Sequence, residues 1–374
     1  MSRPRKAIVV HSPHSGRAAQ MPQALADLSN HAINIASVMT IADLDGLPDQ
    51  GPQWKEAGID TVIAAGGDGL IGGVITHIAD SGLALGILPL GTANDIARSV
   101  GIPHDLFQAI EVICQGKETE VDIGIAQPAE QTPHTASSEQ GHPVAARLHS
   151  QQHGYFAHTL TVGLNVQFAR LATNVTTRQR YGRLTYPIAA LEVLRNREAL
   201  EMMLHFERLA TRALPQASSI NNTNGGSEQV EQTAVLHCRT LQATIINAPI
   251  FGGAWQLTIP GASLHDRLLD IVVVEDVDLE GLGTAIARLL GRQENSTQAP
   301  TITEWHERYP QLKEAELTGI PGVHHVRARG VLISTNVDPQ DVTLDGEVRG
   351  QTPIYVRQAD ERLRVIVPAD HTIK

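Results

Sequence analysis

The chain has little of several features that mark particular protein classes. Aromatic residues make up 3% of its 374 residues, and there are two cysteines, Cys114 and Cys238. Two cysteines without metal-like spacing build no disulfide framework and fit a reducing cytoplasm. Positive charge is scarce too, because 29 Lys and Arg residues face 40 Asp and Glu residues, for a net charge of -11. Such a surface argues against nucleic acid as a partner and against binding anionic bilayers through bulk charge.

Long apolar runs are also lacking. No stretch approaches the roughly 20 apolar residues that cross a bilayer, and the run Ala7–Val10 after the basic N-terminus is too short for a signal peptide. We therefore expect a soluble or at most peripheral protein. The 17 histidines are scattered, and the pair His324 and His325 lacks carboxylate or cysteine companions in the sequence. We expect such histidines at the surface or in supporting positions, not as zinc ligands.

Residues 1–125 alternate apolar strands with helical segments. Alternation of this kind predicts a Rossmann-like parallel α/β domain with ligands at the carboxyl ends of its strands. The predicted strands are Ala7–Val10, Ile33–Met39, Thr61–Ala65, Ala84–Leu88 and Val121–Ile125, and the predicted helices are Arg17–Leu28, Ala93–Val100 and Asp105–Gln115.

A polar segment, residues 126–153, reads as a linker or insertion, and residues 154–368 show the two-residue periodicity of an antiparallel β-sandwich. Two helices and two polar insertions, the latter expected to be disordered, interrupt this second domain. The predicted strands are Tyr155–Leu164, Thr233–Ala248, Trp255–Ile259, Leu268–Val274, Val326–Ser334, Val342–Leu344, Ile354–Val356 and Leu363–Val367, the helices are Leu184–Arg197 and Leu279–Leu290, and the insertions lie near residues 214–231 and 292–300.

Two glycine-containing loops follow predicted strands. The first is Gly66-Gly67-Asp68-Gly69, and the second is Gly91-Thr-Ala-Asn-Asp95. Backbone N–H groups at the start of a helix hold phosphate without a large basic side chain. Asn94 and Asp95 open the second helix, where such side chains also act as N-caps, and we expect both roles. The two loops in this order resemble the catalytic domain of the diacylglycerol kinase and sphingosine kinase family; NAD kinases and phosphofructokinases share only the first.

The resemblance implies ATP as a substrate, with Mg²⁺. Gly67 is expected where the backbone approaches phosphate so closely that a Cβ would intrude. The loop from His11 to Gly16 is similar to the family's Asn-Pro-x-Ser-Gly loop, although such turns are commonplace, and Thr40 is as readily an ordinary strand-end threonine. The chain departs from the family at Leu70 and Gly73, where Thr and Glu are usual. The positions that the resemblance assigns to ATP are Ser12, Ser15, Gly16, Thr40, Gly66, Gly67, Asp68, Gly69, Thr92 and Asn94.

Three carboxylates are candidate metal ligands by the same resemblance. Asp68 is expected to arrange Mg²⁺ at the phosphates, and Asp122 matches an Asp-x-Gly strand of the family. Asp266 matches the first acid of a turn that holds a structural magnesium in relatives, but Arg267 stands where glycine is usual. A hard cation takes several oxygen ligands. Whether Asp266 and Asp122 hold an ion, or a guanidinium replaces it, stays open at this point.

The catalytic residues implied are Asp345, Glu347 and Asp95. Asp345 and Glu347 lie in an Asp-Gly-Glu sequence like that of the family, although Asp-Gly is also a hairpin signal. Asp345 is predicted as the general base that accepts the proton of the acceptor alcohol. We expect its turn to contribute little to either core, so that an Asn variant loses activity but keeps its stability.

The sequence thus predicts an ATP- and Mg²⁺-dependent lipid kinase acting on diacylglycerol or a related lipid. Two alternatives stay open: a kinase of the same superfamily with a soluble acceptor, and a catalytically weak regulatory protein that binds nucleotides. The expected partner is a lipid at the membrane surface, met by a cytoplasmic protein at the inner face; a homodimer is also open. Arg178, Arg180 and Arg183 precede a predicted helix and form either a basic edge for anionic headgroups or a solvated entry to a core helix.

Overall fold

The computed structural model describes residues 5–31, 33–44, 47, 49–129, 154–164, 166–167, 198–210, 233–251, 257–259, 261–276, 312, 322–337 and 339–371. These residues form a parallel sheet with helices, followed by a large antiparallel, strand-rich region. The predicted fold class is therefore confirmed.

The parallel region has the strand order β2-β1-β3-β4. Every residue of β3 and β4 is buried, which explains their continuous apolar sequences, because strands of a parallel sheet are covered on both faces. The elements are β1 (Lys6–His11), α1 (Met21–Asn30), β2 (Asn34–Thr40), α2 (Gly51–Glu56), β3 (Thr61–Gly66), α3 (Asp68–Ile78), β4 (Ala84–Pro89), α4 (Asp95–Ser99) and α5 (Leu106–Gln115).

Two helices of this region differ from the prediction. Helix α1 begins at Met21 and not at Arg17, because residues 18–20 form a 3-10 turn. Helix α2 was not predicted, since its Gly51-Pro52 start has the composition of a turn. Pro52 lies in the first turn of the helix, where proline is tolerated because its missing N–H has no intrahelical partner.

The antiparallel region is built from longer strands around its own core. Its main path runs β15-β14-β7-β9-β12-β13-β16, with β8 beside β9 and β13, and β5 beside β16 and β6. The elements are β5 (Lys117–Pro128), β6 (Gly154–Phe156), β7 (Thr159–Gly163), β8 (Leu200–Leu209), β9 (Ala234–Ile246), β10 (Ile250–Phe251), β11 (Leu257–Thr258), β12 (Leu269–Glu275), β13 (Val323–Thr335), β14 (Asp341–Leu344), β15 (Glu347–Gln351) and β16 (Ile354–Val367).

Several strand predictions need correction. The single strand predicted at Tyr155–Leu164 is two strands, β6 and β7, with a bend between them. The two strands predicted at the end of the chain are one, β16. Strands β8 and β15 were missed, and β8 is rich in Leu, Met and Glu, which favour helices. In β8, burial of Met202, Leu204 and Phe206 alternates with half-buried neighbours, so tertiary packing overrides the local preference.

Strand β16 joins the two regions. Its first half pairs antiparallel with β13, its second half pairs parallel with β4, and β5 runs antiparallel along most of its length. Ile354 and Val356 accordingly pack in the antiparallel core, whereas Leu363 and Val367 pack in the parallel core. The chain returns at its end to the sheet that it began. Strand β5 runs across residue 125, and the domain boundaries at 125 and 153 stay predictions.

Some sequence predictions fall outside the described residues. These are the polar segment from residue 130 to 153, both predicted helices of the second region, both polar insertions and the arginines Arg178, Arg180 and Arg183. Within the described part of the chain, no helix is long and apolar enough to span a membrane.

The expectation for His324 and His325 was wrong. Both are buried in β13, and each meets an acid of the adjacent strand β12: His324 Nε2 lies 2.8 Å from Glu275 Oε1, and His325 Nε2 lies 2.6 Å from Asp270 Oδ1. Cys238 of β9 joins the first pair, so that one ligand atom from each of the three residues lies within 4.8 Å of the others. Sequence spacing could not reveal companions that come from neighbouring strands.

Candidate active site

Three loops converge at the carboxyl ends of β1, β3 and β4. Gly67 and Gly91 pack backbone against backbone: a Cβ on Gly91 would lie 2.3 Å from the Cα of Gly67. A Cβ on Gly16 would lie 3.4 Å from Thr92 Oγ1, so the first loop reaches the third. The Arg17 N–H also donates to the Leu90 carbonyl at 3.0 Å. The structure thus brings the predicted phosphate loops together, and this packing requires glycine at 91; a Cβ on Gly67 would lie 3.2 Å from Gly91 Cα, a tight contact.

Asp68 ties the first phosphate loop to the second. It is the first residue of α3, and its Oδ1 accepts the N–H of Ile96 at 2.8 Å, near the start of α4. A carboxylate oriented by such a hydrogen bond suits a magnesium ligand. Gly66 and Gly69 lie on either side of Asp68 in the loop. Asp95, the first residue of α4, directly precedes Ile96 and is buried.

Asn94 does not cap α4 with its side chain, so this part of the prediction was wrong. Its backbone is left-handed, with φ 55°, and its amide folds back on Gly91: Oδ1 accepts the Gly91 N–H and Nδ2 donates to the Gly91 carbonyl, each at 2.9 Å. The side chain that accepts a hydrogen bond at the start of α4 is that of Asp68. Asn94 therefore shapes the loop, and its contact with ATP stays a prediction.

The other residues assigned to ATP are engaged in local turns. Ser12 Oγ accepts the N–H of His14 at 3.3 Å, and the N–H of Ser15 donates to the Ser12 carbonyl at 3.2 Å. Thr40 donates from its N–H and its Oγ1 to Asp43 Oδ2, at 2.7 and 2.8 Å. These bonds lower the pKa of Asp43, the backbone N–H of Thr40 being the largest cause. Each of these residues lies at the carboxyl end of its strand, as predicted.

Asp345 lies in the hairpin between β14 and β15, and its carboxylate is buried in the bend between β6 and β7. Oδ2 accepts the Ala157 N–H at 3.0 Å, and Oδ1 accepts the N–H groups of His158 and Thr159 at 2.9 and 3.0 Å. The expectation that this turn contributes little to either core was wrong. The carboxylate satisfies the backbone of a bend that would otherwise leave buried N–H groups without acceptors.

Glycines of α3 bring this hairpin against the helix that carries Asp68. A Cβ on Gly72 would lie 2.6 Å from Asp345 Oδ2, and one on Gly69 would lie 2.7 Å from Glu347 Oε1. Gly72 is four residues beyond Asp68, or about 6 Å along the helix axis. The predicted base and the predicted phosphate loop thus meet on one helix. Glycine is what permits the approach, since any side chain at 72 would displace the carboxylate.

The two departures from the family pattern have structural explanations. Leu70 is buried in the parallel core, and it packs so closely under Gly66 that a Cβ there would lie 3.0 Å from it. A Cβ on Gly73 would lie 2.9 Å from Ile41 Cδ1 and 3.8 Å from Arg349 Nη2. The space beside Gly73 is therefore shared by an apolar side chain and a guanidinium.

Arg349 and Asn247 are site residues for which the sequence analysis assigned no role. The Arg349 guanidinium pairs with Glu347 Oε2, with Nε at 3.0 Å, beside α3. Asn247 Nδ2 donates to the carbonyls of Asp122 and Ala157, both at 2.8 Å, and so holds the bend that Asp345 also holds. Both partners of Asn247 lie 90 or more positions away in sequence.

Burial raises the pKa of Asp345, although the three N–H donors and His158 oppose the shift. A carboxylate has about four lone-pair positions for hydrogen bonds. Donors among the described residues take two on Oδ1 and one on Oδ2. The fourth position belongs to Oδ2, the oxygen that faces Gly72. The donors among the described residues thus leave one acceptor position on the Asp345 carboxylate.

Asp122 and Asp266 form a separate cluster, and of the two alternatives left open there, an ion or a guanidinium, the contacts favour the guanidinium. Both Asp122 oxygens accept from arginines: Oδ2 from the Arg267 backbone N–H and Oδ1 from Arg362 Nε, each at 2.8 Å. Asp266 Oδ2 lies 3.2 Å from Arg327 Nη1, and burial is the main cause that raises its pKa. The oxygens of these carboxylates face guanidinium and backbone donors, so the residues do not fit a divalent ion.

These features define a class of protein: a parallel sheet whose strand ends carry two phosphate-type loops, met by a carboxylate from an antiparallel region. Residues 6–126 match the family model of the diacylglycerol kinase catalytic domain. The resemblance to the diacylglycerol kinase-type family that the two loops predicted is thus confirmed over this region, which contains both loops.

The chain is similar along almost its whole length to curated relatives. It is 24% identical over 373 residues to a diacylglycerol kinase of Staphylococcus saprophyticus, covering 98% of this chain and 96% of the relative. It is 23% identical to a diacylglycerol kinase of Staphylococcus aureus, covering 98% and 93%. These relatives support a kinase.

Solved structures share the fold. A crystal structure of a diacylglycerol kinase from Bacillus anthracis superposes with a TM-score of 0.55 at 16% identity, covering 98% of both chains. Another structure from the same organism gives a TM-score of 0.60 at 18% identity, covering 98% of this chain and 96% of that one. The superposition covers both the parallel and the antiparallel region of this chain.

Proposed function

We propose that the protein is an ATP- and Mg²⁺-dependent lipid kinase that phosphorylates a hydroxyl of diacylglycerol or a related lipid. The observation that carries the proposal is the contact between Asp345 and α3. A carboxylate with one open acceptor position on Oδ2 faces Gly72, about one helical turn from the residue that begins the phosphate-loop helix. Phosphoryl transfer to an alcohol needs a proton acceptor and a phosphate site in such proximity.

The phosphate side of the site would be formed by the packed loops around Gly67 and Gly91. Backbone N–H groups at the start of α3 and the exposed hydroxyl of Thr92 are suited to polyphosphate. Asp68, oriented by the Ile96 N–H, would hold Mg²⁺. When bound, Mg²⁺ neutralises charge on the transferred phosphoryl group.

On the acceptor side, Asp345 Oδ2 would take the proton of the lipid hydroxyl. Its raised pKa makes it a stronger base than an exposed aspartate, and the bend at 157–159 holds it in place. Glu347 is more exposed and is paired with Arg349, so it would orient that guanidinium near the transferred phosphate. Asp95, the third predicted catalytic residue, would contribute its carboxylate from the second phosphate loop.

Phosphate transfer from γ-labelled ATP to lipids in detergent micelles tests the proposal. The panel holds diacylglycerol, ceramide and a sphingoid base, with a nucleoside as a soluble acceptor. We expect labelled lipid from the native protein and a rate about 10²–10⁴-fold lower from Asp345→Asn, while Asp360→Asn, whose side chain is 74% exposed, keeps the native rate. Label on the nucleoside alone would favour the soluble-acceptor alternative, and ATP binding without transfer to any acceptor would favour the regulatory one.

A lipid acceptor requires contact with a membrane surface, which we propose is the inner face of the cytoplasmic membrane. The support is compositional: Arg178, Arg180 and Arg183 concentrate positive charge in a chain of net charge -11. Each basic residue near an anionic surface contributes about 1 kcal/mol. Sedimentation with phosphatidylglycerol vesicles should separate the native protein from the variant with all three arginines changed to Gln. Equal binding and equal activity on vesicles would contradict this role.

A further inference from the structure

Where β5, β16 and the turn before β12 meet, oxygen atoms cluster around two guanidinium groups. The Asp122 carboxylate is fully buried. Arg267 Nη1 donates to the carbonyls of Ala359 and Asp360 at 2.8 and 3.0 Å, and Arg362 Nη2 donates to the carbonyl of His265 at 3.2 Å. One carboxylate and three carbonyls are the kind of oxygen set that a hard cation takes. In this chain the guanidinium groups of Arg267 and Arg362 take the place of such a cation.

The backbone is arranged to admit these side chains. The register between β5 and β16 shifts between Gln358 and Arg362, so the carbonyls of 359 and 360 turn from the ladder toward Arg267. Arg267 itself has φ 60°, a left-handed conformation that glycine adopts freely and arginine only at a cost. In this conformation its backbone N–H reaches Asp122 Oδ2 at 2.8 Å, and its Nε lies 3.4 Å from Oδ1. The contacts that Arg267 makes with Asp122 thus stabilise its own unfavourable backbone conformation.

The charges around Asp122 leave no place for a metal cation beside the two guanidinium groups. Asp122 contributes one negative charge, and Arg267 and Arg362 contribute two positive charges at its oxygens. The nearest further acid of the turn, Asp266, faces Arg327 and accepts the Leu268 N–H at 3.1 Å. A divalent ion at Asp122 would have to displace a guanidinium and would meet the other at short range, where like charges repel strongly.

We propose that Arg267 and Arg362 act as a built-in cation that joins the parallel and antiparallel regions, and that the chain holds no divalent ion at Asp122. The two arginines connect β5, the turn at 265–267 and the residues of β16 between its two halves. This inference is independent of the proposed kinase activity. It assigns any need for Mg²⁺ to the nucleotide side of the molecule.

The test is the thermal stability of the full chain without nucleotide, in EDTA and then with Mg²⁺ or Ca²⁺ added. We expect the same Tm in all three conditions, whereas an ion resident in the folded state would raise the Tm by several degrees at saturating concentration. Metal analysis after gel filtration should find no stoichiometric divalent ion. A Tm that falls in EDTA and recovers with the ion, in the native protein and also in Asp68→Asn, would overturn the proposal. A shift that disappears in Asp68→Asn would support it, since the ion then binds at the phosphate loops.

The variants Arg267→Gln and Arg364→Gln form a matched pair. Arg364 lies on β16 two residues beyond Arg362, and its side chain is half exposed, 3.8 Å from Glu118. We expect Arg267→Gln to lower the Tm by several degrees in EDTA and in Mg²⁺ alike, and Arg364→Gln to leave it nearly unchanged. Equal Tm values for the two variants would refute the role of Arg267. Should Arg267→Gln fail to fold, Arg267→Lys, which keeps the charge but loses the fork, is expected to have a lower Tm than Arg364→Gln in EDTA and in Mg²⁺ alike, and equal Tm values would refute the role of Arg267.

Discussion

Asp345→Asn is expected to lower stability as well as activity. Asn tolerates the left-handed backbone at this position, where φ is 48°. Its single side-chain oxygen can still accept from His158 and Thr159, but its NH₂ group then faces the N–H of Ala157, which accepts nothing. Leaving one buried donor without an acceptor costs about 1–3 kcal/mol. In a chain of this size, that corresponds to a fall in Tm of roughly 1–4 °C.

The activity of the same variant should fall further than its stability does. Loss of a general base reduces the rate by about 10²–10⁴-fold, and at an assay temperature well below the Tm the variant remains folded. Calorimetry and phosphate transfer to lipid micelles, measured on one preparation, separate the two effects. Asp360→Asn is the control, since its exposed carboxylate makes only a surface ion pair with Arg357. A variant that loses several degrees of Tm but keeps native turnover would show Asp345 to be structural only, and unchanged Tm would refute the hydrogen-bond reasoning.

Three further outcomes are expected. Gly72→Ala should destabilise and inactivate the protein, because its Cβ would lie 2.6 Å from the fixed Asp345 Oδ2. Gly73→Ala is the control, because its Cβ meets the flexible end of a side chain and the variant gains about 1 kcal/mol in helix propensity. Equal Tm values for the pair would contradict the close packing at Gly72. Thr92→Val removes an exposed hydroxyl from the phosphate loops, so ATP affinity measured by calorimetry should fall about 2- to 10-fold at constant Tm, and unchanged affinity would remove Thr92 from the site. Since burial raises the pKa of Asp345, turnover should fall as the pH is lowered through a value above the ordinary Asp value of about 3.9, with this limb missing in Asp345→Asn. The stability that this group contributes has the opposite trend: it is fully present below about pH 4 and is lost as the pH rises through the folded pKa.

The parallel region was largely predictable because its signals are local. An apolar strand followed by glycines gives both the buried strand and the phosphate-type turn at its end, as at Thr61–Gly66. The phosphate loops could therefore be placed from sequence, and the structure brings them together. Contacts within these loops were less predictable. The side chain that accepts a hydrogen bond at the start of α4 is that of Asp68 and not that of Asn94, and it lies 28 positions from the N–H of Ile96 that it binds.

The antiparallel region and the acceptor side could be predicted only in outline. The environment of Asp345 depends on residues more than 180 positions away, and that of Asp122 on Arg362, 240 positions away. Nothing in an Asp-Gly-Glu sequence distinguishes an exposed hairpin from one whose carboxylate satisfies the bend between two other strands. Periodicity also failed where β16 joins the parallel and antiparallel regions, because its middle residues bulge and interrupt the pattern.

The carboxylates of Asp68 and Asp345 are held in place in the same way, by backbone N–H groups, and this links the fold to the chemistry. Asp68 and Asp345 each accept backbone N–H groups from a different part of the chain, and each thereby fixes its orientation. A carboxylate held in this way needs no reorganisation when it meets a cation or a proton, which is the condition for electrostatic catalysis. The same bonds make each residue part of the structure, so substitutions there change stability together with activity. Asp122 is buried, as Asp345 is, and it too accepts a backbone N–H, but its negative charge is already met by two arginines. Whether a buried carboxylate is paired with arginines, rather than the residue type, therefore distinguishes a structural aspartate from one whose charge stays available to a ligand.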